Sequence, residues 1–185
     1  MQLSKDLRKY QMNSNLDILG LVFNLINYLF IFLFLFNLLK VNYYNSIVSI
    51  FVKIYKPISN VFSPLPNQAI NVLLLAIIFK FLSIYIYFGN QYELTVLAGV
   101  AIIQTIMVTF RVIFFAVIGG VILSWVSPSN SNAFLELIEE VSYKSLAPIR
   151  KYIPSGGGLD FSPLFILILI NLLESFLSDI LRSIV

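Results

Sequence analysis

Residues Ile18–Leu39 read ILGLVFNLINYLFIFLFLFNLL, apolar throughout apart from Gly20 and the uncharged Asn24, Asn27 and Asn37. About 20 such residues in a helix cross the hydrocarbon core of a bilayer, so this stretch predicts a first membrane span. Lys40 closes it, with a side chain long enough to snorkel to the interface. The whole chain agrees. Hydrophobic residues make up 59% and charged residues only 11%, and the mean hydropathy is +0.91. Soluble domains carry about 25% charge. A water-facing surface cannot be made from this inventory, and the chain reads as an all-α integral membrane protein.

Three further apolar runs are expected to span. One is Asn67–Phe88, interrupted by Lys80. Leu94–Val126 exceeds one bilayer thickness; we read an apolar lead-in followed by a span near Thr105–Val126, with one long tilted helix as the alternative. The last is Pro163–Val185, ending with Asp179 and Arg182. Trp125 stands at the end of the third, where interfacial aromatics collect. Residues 1–15 form a polar arm with Lys5, Arg8 and Lys9. No short apolar core with a small-residue cleavage site follows it, so the first span is expected to act as its own anchor.

Two segments are amphipathic instead. In residues 46–58, Ile47, Ile50, Phe51, Ile54, Tyr55 and Ile58 recur at helical spacing, with Ser46, Ser49, Lys53 and Lys56 on the other side. After the Ser127–Asn130 turn signal, Phe134, Leu137, Ile138 and Val141 do the same, with Glu136, Glu139 and Glu140 elsewhere on the wheel. Pro57, Pro64 and Pro66 are expected to break the chain after the first. After the second comes LAPIRKYIPSGGGLDFSPL, Leu146–Leu164, a shaped connector of prolines, a glycine triplet and the charges Arg150, Lys151 and Asp160. Asp160 and Ser162 are placed to cap the last span, with Pro163 in its first turn.

The order span, amphipathic helix, proline connector, span therefore occurs twice, dividing the chain into a polar arm (1–15), a first unit (16–92) and a second (93–185). Pro57-Ile58 aligns with Pro148-Ile149, and Leu73/Leu164, Ile77/Ile168 and Leu82/Leu173 keep register. A two-span unit returns to the side where it began, so the units should run parallel, with both amphipathic helices at one membrane face. The Lys and Arg balance favours that face in the cytoplasm, while the cluster in the N-terminal arm pulls the other way.

Cysteine and histidine are both absent, which excludes disulfides, thiolate nucleophiles, Cys/His zinc sites and His-based triads. No nucleophile–base pair stands out, so we expect no enzyme and no cofactor. A net charge of +3 suits an anionic lipid surface better than nucleic acid. Lys80, Arg111 and Glu174 lie inside apolar runs, each roughly 18–22 Å from the connector face at about 1.5 Å per residue. Charges so deep pair with one another or face a bundle interior. Arg111–Glu174 is the expected pair, with Lys80 nearby; the alternative is an ion path. Asn71, Ser83, Asn171 and Ser175 are candidates for interhelical hydrogen bonds. Gly119-Gly120 would allow close helix approach within one chain or between copies.

The combination of VILSWVSP (Val121–Pro128), SYKSLAPIRKYIPSGGGLDFSPL (Ser142–Leu164) and a following apolar helix resembles the YggT family, most strongly from Val117 to Leu177. The first unit looks like a degraded copy. Matched positions are Ser124, Trp125, Leu146, Pro148, Arg150, Pro154, Gly157, Gly158, Asp160, Ser162 and Pro163. An Arg frequent before the Ser-Trp pair is Gly120 here, and an acid-proline step after Ser142 is Tyr143-Lys144. The resemblance implies a bacterial inner-membrane protein of undefined biochemical activity, with relatives linked to envelope and division-related processes; our own reading is an accessory protein whose amphipathic helices and connector form a platform for lipid or a membrane-protein partner. Plastid relatives are linked to membrane-complex assembly, including cytochrome maturation.

Overall fold

The structure, a computed structural model, describes residues 2–62, 64–126, 132–153 and 160–184. It is all-helical: α1 (Gln2–Leu38), α2 (Ser46–Val61), α3 (Gln68–Phe88), α4 (Leu94–Val126), α5 (Ala133–Arg150) and α6 (Ser162–Ile184). Four of these contain stretches long and apolar enough to cross a membrane: Leu16–Leu38, Gln68–Phe88, Leu94–Val126 and Ser162–Ile184. The short helices α2 and α5 each join two of them.

Asparagine starts three helices. Asn45 Oδ1 accepts from the N–H groups of Ile47 and Val48, Asn67 Oδ1 from Ala69 and Ile70, and Asn132 Oδ1 from Phe134 and Leu135. Each satisfies donors that a helix start leaves unpaired. The end of α1 is closed by paired reverse bonds, Val41 N–H to Phe36 C=O at 2.9 Å and Lys40 N–H to Asn37 C=O at 3.2 Å. That Schellman geometry needs a left-handed residue, and Lys40 supplies it at φ 52°.

Several boundaries differ from the sequence expectation. The polar arm is helical from Gln2 and continuous with the first span. Leu94–Val126 is one helix of 33 residues, which is the long-helix alternative rather than a lead-in and a span. At 1.5 Å per residue it runs to about 50 Å; no proline or helix-ending glycine interrupts it. Pro57 and Pro148 lie inside α2 and α5, not after them. Each proline forfeits a backbone bond and crowds the carbonyl four residues earlier, yet the helices continue past them to Val61 and Arg150.

The helices α1 and α3 pack along their length, and α4 joins them to α6, which rests on α4 and α5. Phe30, Leu35, Val72 and Ala76 are buried between α1, α2 and α3. Fully buried Asn27 donates from Nδ2 to the Ala76 carbonyl at 2.8 Å and to Thr105 Oγ1 at 3.5 Å, tying α1 to α3 and α4. Of the other polar candidates, Ser83 does bond between helices, to the Gly20 carbonyl. Asn71 instead clasps the Leu65 backbone, and Asn171 bonds back to Leu167 in its own helix.

Both short helices lie at one end of the bundle, in contact. Asn45 Nδ2 donates to the Ala133 carbonyl at 2.7 Å. The Glu140 carboxylate accepts the Asn42 N–H at 2.9 and 3.1 Å and pairs with Lys144 at 2.6 Å; the Lys144 ammonium also donates to the Lys40 carbonyl. Val41, Val48, Leu137 and Val141 are buried beneath. In α2 the inward residues are Val48 and Tyr55, flanked by Ile47, Phe51, Val52 and Ile58, while Ile50 and Ile54 are exposed beside Lys53 and Lys56. The apolar face is thus wider than the packed one.

Candidate functional site

The connector end carries an open cleft of about 720 Å³ between the end of α4, the inner face of α5 and the start of α6. Ser124, Trp125, Arg150, Asp160 and Pro163 all line it. These residues are scattered over two helices and the start of a third, and the fold brings them together. Pro148 is exposed on α5 and is not part of the lining, and Ser162 is fully buried at the start of α6. Pro154, Gly157 and Gly158 lie outside the described residues.

Arg150 and Asp160 make the central contact. Arg150 Nε donates to Asp160 Oδ2 at 2.8 Å, tying the last residue of α5 to the start of α6. Asp160 Oδ1 accepts the Ser162 N–H at 2.9 Å, so one carboxylate both pairs with the arginine and satisfies an orphan donor of α6. Partial burial pushes this carboxyl up, but the hydrogen bonds from Ser162 and Arg150 and the arginine charge outweigh it, so Asp160 ionises below its ordinary range. The Arg150 guanidinium also lies 4.9 Å from the centre of the Tyr143 ring, in cation–π range. Trp125 is 81% exposed at the rim.

The positions that depart from the resemblance meet here too. A Cβ on Gly120 would fall on the Ser142 side chain, and one on Gly119 would lie 2.8 Å from Ile138 Cγ2. The glycines let α4 and α5 touch. Tyr143, in place of an acid, covers Arg150.

The intramembrane charges lie towards the opposite end. Arg111 Nη2 is 3.6 Å from Glu174 Oε2, across α4 and α6. Arg111 keeps 56% of its side chain exposed and Glu174 21%. Lys80 is not in that pair: its Nζ donates to Asn24 Oδ1 on α1 at 3.0 Å. Lys80 and Arg111 both line a recess of about 290 Å³, with Gln104 between their helix positions. Lys80 and Gln104 also line a larger crevice of about 630 Å³ that opens towards Tyr92 and Arg182.

Sequence reasoning missed Glu140, Asn42 and Asn45 as the joint between the halves, and Asn24 as the partner of Lys80. Asn45 directly before an amphipathic run carried a capping signal; the other three have no local signature.

Four apolar helices, two short helices gathered at one end and a charged cleft beside them define a polytopic helical membrane protein with a shaped surface at that end. Residues 99–181 match the family model described as CCB3/YggT. The chain is 31% identical over 150 residues to an uncharacterised protein of Haemophilus influenzae, a match covering 77% of this chain and 79% of that protein. It is 39% identical over 74 residues to an uncharacterised protein of Pseudomonas aeruginosa, covering 40% and 38% of the two chains. To the uncharacterised protein YggT of Escherichia coli K12 it is 25% identical over 149 residues, covering 77% of each. No solved structure matches at the same stringency. The chain belongs to the YggT family.

Proposed function

We propose that this protein is a non-catalytic accessory factor of the bacterial inner membrane that docks a membrane-protein partner during envelope or division-related complex assembly. The docking surface is the connector-end cleft, on the cytoplasmic face. The observation that carries this reading is the convergence of Trp125, Arg150, Asp160 and Pro163 on one cleft. Tryptophan and arginine are among the residue types enriched at binding hot spots, and both line this cleft. The amphipathic helices α2 and α5 lie in the interface plane and hold the cleft at headgroup level, with Ile50 and Ile54 turned to lipid. The matching order of helices in the two halves supports a duplicated two-span unit, in which the first copy kept the scaffold and the second the cleft.

The test is in-membrane crosslinking and co-purification from native cells, comparing wild type with an Arg150→Ala/Asp160→Ala double variant at equal abundance. A specific membrane protein recovered with wild type and lost with the variant is the expected result. The same partners with both, or co-purification of lipid alone, would make the cleft structural or a lipid contact.

A second reading, a transporter or channel component, has one observation in its favour: Lys80 and Arg111 share a recess with Gln104. It requires ion flux in proteoliposomes that falls when Lys80 and Glu174 are replaced.

A further inference from the structure

The 630 Å³ crevice at the end opposite the connectors is separate from the docking cleft and has its own chemistry. Its walls are apolar: Ile84 from α3, Leu97 and Val100 from α4, and Leu181 from α6. Two cations, Lys80 and Arg182, line it, and no carboxylate is among the described residues that do. Arg182 is held only by Asp179 on its own helix, at 3.6 Å with both side chains largely exposed. Lys80 has a single hydrogen-bond acceptor, Asn24 Oδ1, and no ion pair among the described residues. An ammonium carries three donors. Inside a membrane it needs an anion or several acceptors, and the described residues provide one neutral oxygen.

Neighbouring charges do not repair this. Arg111 lines the adjoining recess, but Glu174 is already paired with it. The crevice therefore brings two cations and apolar walls together, and its volume falls in the range of small-ligand sites. An ion alone would leave the walls unfilled, and a neutral lipid would leave Lys80 unpaired.

We propose that this crevice holds one anionic phospholipid. Its phosphate group is drawn by the two cations Arg182 and Lys80, and its apolar part fills the crevice against Ile84, Leu97, Val100 and Leu181. The lipid bridges α3 to α4 and α6, where the described side chains leave the bundle open. This site does not depend on the docking function of the connector end.

The experiment uses the full chain in detergent, delipidated and then supplemented with phosphatidylglycerol, phosphatidylcholine or inorganic phosphate, with thermal unfolding and native mass spectrometry as readouts. Wild type is expected to retain one phosphatidylglycerol per chain and to gain several degrees in Tm. Phosphatidylcholine and inorganic phosphate should give neither. Lys80→Gln should lose both effects while keeping its helix content by circular dichroism. Lys80→Arg, which keeps the charge, should restore them and covers the case in which Lys80→Gln does not fold. Equal shifts with phosphatidylcholine, a shift with phosphate alone, or an undiminished response in folded Lys80→Gln would each overturn the proposal.

Discussion

Asp160 does two jobs with one carboxylate, and both depend on its charge. Its ionisation lies below the ordinary carboxyl range, so the folded state binds the proton less readily than the unfolded chain does. The stability it contributes is fully present above the unfolded value, about 3.9, and is lost as pH falls through the lowered folded value. Trp125 is the only tryptophan and lines the same cleft, so its emission should change over that acid window. In Asp160→Asn this step should be absent. The pair is partly solvated, so Arg150→Ala should cost no more than about 1 kcal/mol, and its larger effect should be on partner capture. Gly120 behaves in the opposite way, being a packing residue. Gly120→Ala drives a methyl into Ser142 and should cost about 1–3 kcal/mol. A normal melting temperature for that variant would show that α4 and α5 slide apart freely. Residues of this kind were hard to read in the sequence. Gly120 stood out only as a missing arginine, and its reason, a side chain arriving from α5, is tertiary.

At the level of elements, local chemistry was legible wherever it was strong. Long apolar runs gave the spans, and Asp160 with Ser162 marked the start of α6, whereas the asparagine caps at Asn45, Asn67 and Asn132 emerged only from the structure. Breaks were over-read. Pro57 and Pro148 suggested ends, yet the helices continue past them to Val61 and Arg150. The division of Leu94–Val126 followed bilayer thickness rather than any breaker in the sequence, and the helix simply outruns the bilayer. The end of α1 shows the reverse. Nothing in LLKVN signals a left-handed residue, since glycine or asparagine is the usual choice, but Lys40 takes that conformation because Val41 and Phe36 are buried together behind it. Lys40→Gly should therefore raise stability by about 0.5–1 kcal/mol, the steric relief less the added chain entropy. A rise in thermal midpoint with unchanged helix content is the expected signature. A fall would mean that the Lys40 side chain contributes more than its backbone costs.

Across the whole molecule, the two halves meet through two different kinds of contact. Within the membrane, Asn27 reaches α3 and α4 from α1, a polar tie where no water competes. At the connector end the joint is mixed: buried Val41, Val48, Leu137 and Val141 below, and the Glu140 carboxylate above. Glu140 accepts the Asn42 N–H with both oxygens and neutralises Lys144, which itself holds the Lys40 carbonyl. This node bridges residues about a hundred positions apart, so no local pattern could have shown it. It also decides how rigidly α5 presents the docking cleft. A charge-assisted bond of this kind contributes about 1.5–3 kcal/mol. Glu140→Ala should therefore raise amide exchange in α2, α5 and the turn at Asn42, while Gln68–Phe88 and Leu94–Val126 stay protected by their packing and the bilayer. Because α5 carries Arg150 at its far end, the same variant should weaken partner capture without touching the cleft. Faster exchange with undiminished capture would separate rigidity of the joint from function of the cleft. Unchanged exchange would assign the joint to the apolar layer alone.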